Sequence, residues 1–279
     1  MRRPTFPIAA MLLSALIAYC PESALAADGP PEKPLTASIS FGAEFSSGAQ
    51  DSGSRSQSIY VPLIFTWFPT ERIDAGIELP IISQRDSDQS WHLYQNNQNS
   101  TSGMMAQGGG SGAGSNSSTM NTGLGDILLR FGMIAQLEKE RLPQARASLY
   151  VKCPTASKAD GLGTGEFDAG AGMDAVKWFG DMQLTGELFY NYQGKAEFSD
   201  LLDYFSYTAG LGWQISTVRS MLIIRGATPP ARASGNLLET RIRLLWSLTP
   251  ATSIDLFVSH GIADSSPDYG AGLAVIYAY

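Results

Sequence analysis

Apolar and polar residues alternate along most of this chain. Ile73, Ala75, Ile77, Leu79 and Ile81 interleave with Asp74, Gly76, Glu78 and Pro80. Ile59, Val61, Leu63, Phe65 and Trp67 do the same around Tyr60, Pro62 and Thr66, as do Ile127, Leu129, Phe131 and Met133 around Asp126, Leu128, Arg130 and Gly132. Successive side chains of a strand point to opposite faces, so each segment carries one apolar and one more polar surface. The period predicts strands near residues 35–45, 57–67, 72–82, 124–135, 145–153, 167–178, 182–192, 202–214, 218–228, 236–248, 252–260 and 269–279. Amphipathic helical periodicity is almost missing.

The connections alternate as well. Short turns follow every second strand, at Pro69-Thr70-Glu71, Phe179-Gly180-Asp181, Ser216-Thr217 and Pro250-Ala251, with a slightly longer one from Glu138 to Pro143. Longer polar loops follow the other strands. Outer-membrane barrels have this asymmetry, with the short turns in the periplasm. The last segment carries an apolar row, Ala271, Leu273, Val275, Tyr277 and Tyr279. Its aromatic C-terminal residue resembles the signal by which the barrel assembly machinery recognises outer-membrane proteins. The expected fold class is therefore all-β: a transmembrane antiparallel up-and-down β-barrel of about twelve strands, in a Gram-negative outer membrane. Trp67, Trp178, Trp213, Trp246 and Tyr279 fall near the periplasmic strand ends and read as an interfacial girdle.

Residues 1–26 read as a cleaved signal peptide. Arg2 and Arg3 precede an apolar stretch from Ile8 to Ala18, and Ala24-Leu25-Ala26 offers a cleavage site. A lipoprotein signal using Cys20 is the weaker alternative, because Tyr19 occupies a position that needs a small residue. Cleavage leaves residues 27–279 as the barrel domain, with Cys153 alone and no internal disulfide. The 279-residue chain has a formal charge of −7, and loss of Arg2, Arg3 and Glu22 leaves it one unit more acidic. No basic stripe is present, which excludes nucleic acid as a partner. Beyond the signal, no apolar run approaches the ~18 residues of a membrane helix. Residues 95–122, rich in Asn, Ser and Gly, cannot bury a core and predict a disordered extracellular loop.

If the apolar row meets lipid, the alternate row faces an enclosed lumen. It bears Glu44, Asp74, Glu78, Asp126, Arg130, Arg146, Lys152, Asp168, Asp174, Glu187, Arg219, Arg225, Glu239, Arg241, Arg243 and Asp255. Facing lipid at the midplane, each such charge would cost roughly 2–4 kcal/mol. Facing inward they form a salt-bridged wall, a polar conduit, or both. Tyr60, Phe68, Leu128, Tyr150, Tyr204 and Phe257 also point inward, which narrows the lumen. Lys177 is the main charge on the outward row. Asp126, Lys152 and Asp168 fall at one rim of three neighbouring strands and predict a carboxylate–ammonium–carboxylate cluster. It would serve as a structural latch or as a solute-contacting rim.

Two stretches carry a family resemblance. Gly123-Leu124-Gly125-Asp126 opens a strand that runs on to Arg130. Val151-Lys152-Cys153-Pro154-Thr155 is followed by Gly161-Leu162-Gly163-Thr164-Gly165 and Asp168. Together they resemble the motifs of the outer-membrane transporters named for the meta-pathway of phenol degradation. The chain departs from that pattern at Ala156, where the family usually has Gly, and in the Asn/Ser/Gly-rich insertion. The resemblance implies a twelve-stranded barrel for uptake of small, often hydrophobic or aromatic compounds.

The leading expectation is a passive outer-membrane channel without cofactor or metal, whose partners are the lipid bilayer, a small-molecule solute and, through Tyr279, the assembly machinery. The alternative is a structural or adhesive barrel that acts through its extracellular loops. Chemistry on the wall would need a serine and a histidine held together. Only His92 and His260 occur, and adjacent Ser259 and His260 point to opposite faces of a strand, so a different serine would have to serve. Two distant histidines and one cysteine lack metal-ligand spacing, and the Gly161–Gly165 segment lacks the lysine of a phosphate-binding loop.

Overall fold

The computed structural model of the chain describes residues 35–49, 55–85, 120–195, 200–232 and 234–279. The expected signal peptide, His92 and residues 95–119 lie outside the described residues. The strands are β1 (Ala37–Ala49), β2 (Arg55–Thr70), β3 (Ile73–Arg85), β4 (Asn121–Leu124), β5 (Ile127–Gln136), β6 (Gln144–Cys153) and β7 (Asp168–Phe179). They continue as β8 (Met182–Tyr192), β9 (Tyr204–Ile215), β10 (Val218–Ala227), β11 (Leu237–Ser247), β12 (Thr252–Gly261) and β13 (Tyr269–Ala278). Each pairs antiparallel with its neighbour, and β1 pairs with β13 as well as with β2, so the sheet closes on itself. β4 and β5 both pair with β3 and form one interrupted strand. The thirteen segments thus build a closed wall of twelve strands.

The interruption has a local cause. Between the Glu78↔Leu128 and Ile81↔Leu124 pairs, β3 spends two residues, Leu79 and Pro80, where the facing strand spends Gly125, Asp126 and Ile127. Proline has no N–H to give to the ladder, and one extra residue opposite it makes a bulge. Pro62 on β2 lies directly across from Pro80. On its other side, the β1–β2 ladder lapses at Pro62, between Phe41↔Leu63 and Glu44↔Tyr60, with its register unchanged. Both interruptions therefore flank the β2–β3 hairpin. The 124–135 strand read from periodicity starts earlier, at Asn121, and is broken at Gly125–Asp126.

The two faces sort as alternation predicts. Phe41, Leu63, Leu129, Leu149, Leu188, Ile242, Val258 and Leu273 are all exposed on the outside, which only lipid makes tolerable. At the end that carries the termini and short turns, Trp67, Trp213, Trp246 and Tyr279 form an aromatic girdle. Tyr190, Tyr192, Phe205, Tyr207 and Tyr269 form a second at the loop end. Trp178 does not belong to the girdle. It shares the inward parity of Asp174 and Val176, and the Arg219 guanidinium lies 4.9 Å from its ring centroid. Lys177, on the outward row, reaches the short-turn end and is neutralised there by Glu138 Oε1 at 2.8 Å.

An Ile242→Arg substitution places a charge at the middle of β11 on the lipid face. It is expected to destabilise the barrel by about 2–4 kcal/mol. Urea titration in vesicles, followed by the loss of heat-modifiable mobility, measures this; an unchanged midpoint would contradict the assigned lipid face.

Candidate functional site

The loop end of the lumen is organised by one buried cation. Lys152, near the end of β6, directs Nζ to Asp126 Oδ2 at 2.9 Å and Asp168 Oδ2 at 2.7 Å. All three side chains are at most 1% accessible. The remaining carboxylate oxygens hold backbone: Asp126 Oδ1 accepts the Ala156 N–H at 2.9 Å, and Asp168 Oδ1 accepts the Gly194 N–H at 2.8 Å. Thr164 Oγ1 lies 3.3 Å from Lys152 Nζ. The cluster thereby ties the 154–167 loop and the start of the next loop to the wall. In this closed arrangement none of its charged atoms faces an open path.

Thr155 makes the second tie. Pro154 ends β6, and the Thr155 hydroxyl then accepts the Ile127 N–H at 2.9 Å and donates to the Gly125 carbonyl at 3.1 Å. These backbone groups flank the bulge that Pro80 creates. The two stretches that resemble family motifs are therefore one structural unit: the second supplies polar partners to the backbone that the first leaves out of register. Glycine is needed at specific points. Gly161 and Gly165 have φ of 69° and 78°, a region that L side chains avoid. A Cβ on Gly123 would stand 2.7 Å from Leu162 Cδ1, and one on Gly163 2.7 Å from the Ala156 Cβ.

Below this cap the wall is ionic. One row of cross-strand partners runs Arg146, Asp174, Glu187, Thr208, Arg225, Glu239 from β6 to β11. Arg146 also grips Asp74 on β3, with Nη2–Oδ1 at 2.6 Å and Nε–Oδ2 at 3.1 Å. Glu78 accepts from both Tyr60 and Arg130. On the far side Arg243 pairs side-on with Asp255 at 2.9 and 2.5 Å, and Arg241 reaches Glu239 at 2.8 Å. Arg241 also lies 4.0 Å over the ring centroid of Phe257, a cation–π contact. Exposure varies along this wall, and Glu78 and Asp174 are as sealed as the far side. Arg225, Glu239, Arg241, Arg243 and Asp255 are nearly sealed, whereas Asp74 and Arg146 keep 18% and 13% of their side-chain surface, and Arg130 16%. Glu187 is also half-buried.

Sequence reasoning located these ionisable residues by parity but missed what gives them room. Tyr150 lies flat across Gly170, Phe189 across Gly172 and Phe257 across Gly272, each on the neighbouring strand. The signal was available: a glycine on the inward row, beside an inward aromatic on the next strand. Gln84, which donates to the Gly161 carbonyl at 2.7 Å, and Leu162 were not singled out. Ser259 faces the lumen, while His260 is exposed on the outside with Nδ1 2.8 Å from the Asp268 carbonyl.

An apolar belt, aromatic girdles at both ends and an ionic interior define an outer-membrane β-barrel, resident in the outer membrane. The chain belongs to the family described as the MetA-pathway of phenol degradation, which it matches over residues 94–279. Its fold is similar to that of an outer membrane channel from Pseudomonas putida F1, with a TM-score of 0.62, 13% identity, and coverage of 91% of this chain and 100% of that one. It is also similar to the NanC porin (TM-score 0.51, 9% identity, 86% and 98% coverage) and to the CymD monoaromatic hydrocarbon channel (0.50, 9%, 89% and 90%). At these identities the likeness is one of fold. Comparison with curated proteins gives no match.

A Lys152→Met substitution would leave two buried carboxylates facing each other without a counter-ion. It is expected to cost about 3–5 kcal/mol in urea unfolding. Adding Asp126→Asn and Asp168→Asn to it should recover most of that loss; an unaffected single variant would show that the cluster does not hold the mouth together.

Proposed function

We propose that this barrel is a passive channel that admits a small, hydrophobic or aromatic solute across the outer membrane. The observation that carries this reading is the uneven packing of the inner wall. β10 to β12 present a sealed ionic face, while Asp74, Arg130, Arg146 and Glu187 on the opposite side keep contact with solvent. A narrow polar path along β3 to β8 uses both: the sealed face holds the shape, and the accessible strip lines the way. Family membership supports transport, and the likeness to the CymD barrel, itself a monoaromatic hydrocarbon channel, supports the solute class. We read the channel as acting without catalysis, because Ser259 and His260 lie on opposite faces of β12. We further infer that outward Tyr279, whose carbonyl accepts the Thr36 and Ala37 N–H groups at 2.9 and 3.0 Å, is what the assembly machinery reads.

Refolded protein in planar bilayers is expected to give small, discrete conductance steps. Vesicles with lipopolysaccharide in the outer leaflet should take up labelled toluene faster with the protein than without it. Folded barrels that conduct nothing and leave toluene uptake unchanged would overturn the reading.

A further inference from the structure

The 154–167 loop carries two large apolar side chains. Phe167 is exposed, whereas Leu162 is turned into the barrel and is 2% accessible. Leu162 packs against Tyr60 of β2, Ile82 of β3 and the Ala156 methyl. Gly123 of β4 lies beneath it with no side chain, which leaves the space that its Cδ1 fills. The seat is thus an apolar concavity in the inner wall, with the Tyr60 hydroxyl already engaged by Glu78 and the ring left for contact.

The polar contacts that keep Leu162 in place join the loop to side chains at the edge of the seat. Gln84 Nε2 donates to the Gly161 carbonyl at 2.7 Å, and Asn121 Nδ2 to the Asp160 carbonyl at 3.1 Å. Asp126 holds the Ala156 N–H, and Thr164 sits by Lys152. The Gln84 and Asn121 bonds end on amides and carbonyls that water satisfies when residues 158–163 lift, while the buried Asp126–Lys152–Asp168 cluster keeps Ala156 in the wall. The exposed apolar seat finds no such partner in water. Lifting the loop therefore opens a site that water fills poorly and an apolar molecule fills well.

We propose that this seat is the binding site for the apolar part of the solute at the channel mouth, and that Leu162 is its tethered occupant, displaced when a solute of similar volume enters. The site takes a single ring or a short branched alkyl group. Sugars and ions have no partners among Tyr60, Ile82 and Ala156. The inference rests on the channel reading above, since it names where that channel takes its solute.

Fluorobenzene binding to the full barrel in nanodiscs, followed by fluorine NMR, tests it. Leu162→Ala removes the tethered competitor and should strengthen apparent affinity about tenfold, as expected when the competent state no longer has to be freed. A Gly123→Cys/Leu162→Cys pair in a Cys153→Ser background locks the loop down when oxidised. Binding should then be lost and return with dithiothreitol. Equal affinity in wild type and Leu162→Ala, or equal binding by oxidised and reduced protein, would overturn the proposal. Conductance of the same proteins separates the two readings. Binding that follows Leu162 in barrels that never conduct sinks the channel and leaves the site. Conduction with binding indifferent to Leu162 does the reverse.

Discussion

Everything in this molecule follows from the need to pair every backbone N–H and C=O inside hydrocarbon. An unpaired group there costs several kcal/mol, so a membrane-spanning sheet must have no edge. The β1–β13 seam meets this demand over ten residue pairs, from Ser38↔Ala278 to Ser47↔Tyr269. Closure in turn dictates side-chain sorting, since a strand with lipid on one side and an enclosed space on the other can alternate in only one sense. The charges then have nowhere to go but inward.

Inside, they meet a second constraint. Ions away from bulk water must be paired with good geometry or they destabilise the fold. Arg146 satisfies this with Asp74 and Asp174, Arg243 with Asp255, and Lys152 with two carboxylates at once. Large side chains from twelve strands converge on a narrow space, and the inward glycines absorb the crowding. Gly170, Gly172 and Gly272 let rings lie along the wall instead of across it. The interior is therefore neither an apolar core nor an open bore. It is a paired ionic lining, mostly sealed, in which Asp74, Arg130, Arg146 and Glu187 keep partial exposure.

The mouth shows how a defect becomes a device. Pro80 and the extra residue opposite it disturb the ladder at Gly125–Asp126. That bulge frees Asp126 to reach the lumen, and it leaves backbone groups for Thr155 to satisfy. The loop that supplies Thr155 also brings Thr164 to Lys152 and Leu162 into its seat. Wall irregularity, charge cluster and folded-in loop are one arrangement.

Much of this was legible along the chain, because a period of two records which side of a wall each residue faces. Strand number, inward placement of Asp126, Lys152 and Asp168, and the asymmetry of turns and loops all follow from local pattern and connection length. Trp178 leaves the expected girdle because parity, and not proximity to a strand end, decides which face a side chain takes. What alternation cannot carry is the stagger between strands. Only the closed sheet decides that Asp174, Glu187, Arg225 and Glu239 share one row, that Pro62 faces Pro80, and that a loop leucine lands on Tyr60 and Ile82. Those contacts join residues far apart in the chain, and they arise from the register and curvature of the barrel, which no single segment contains.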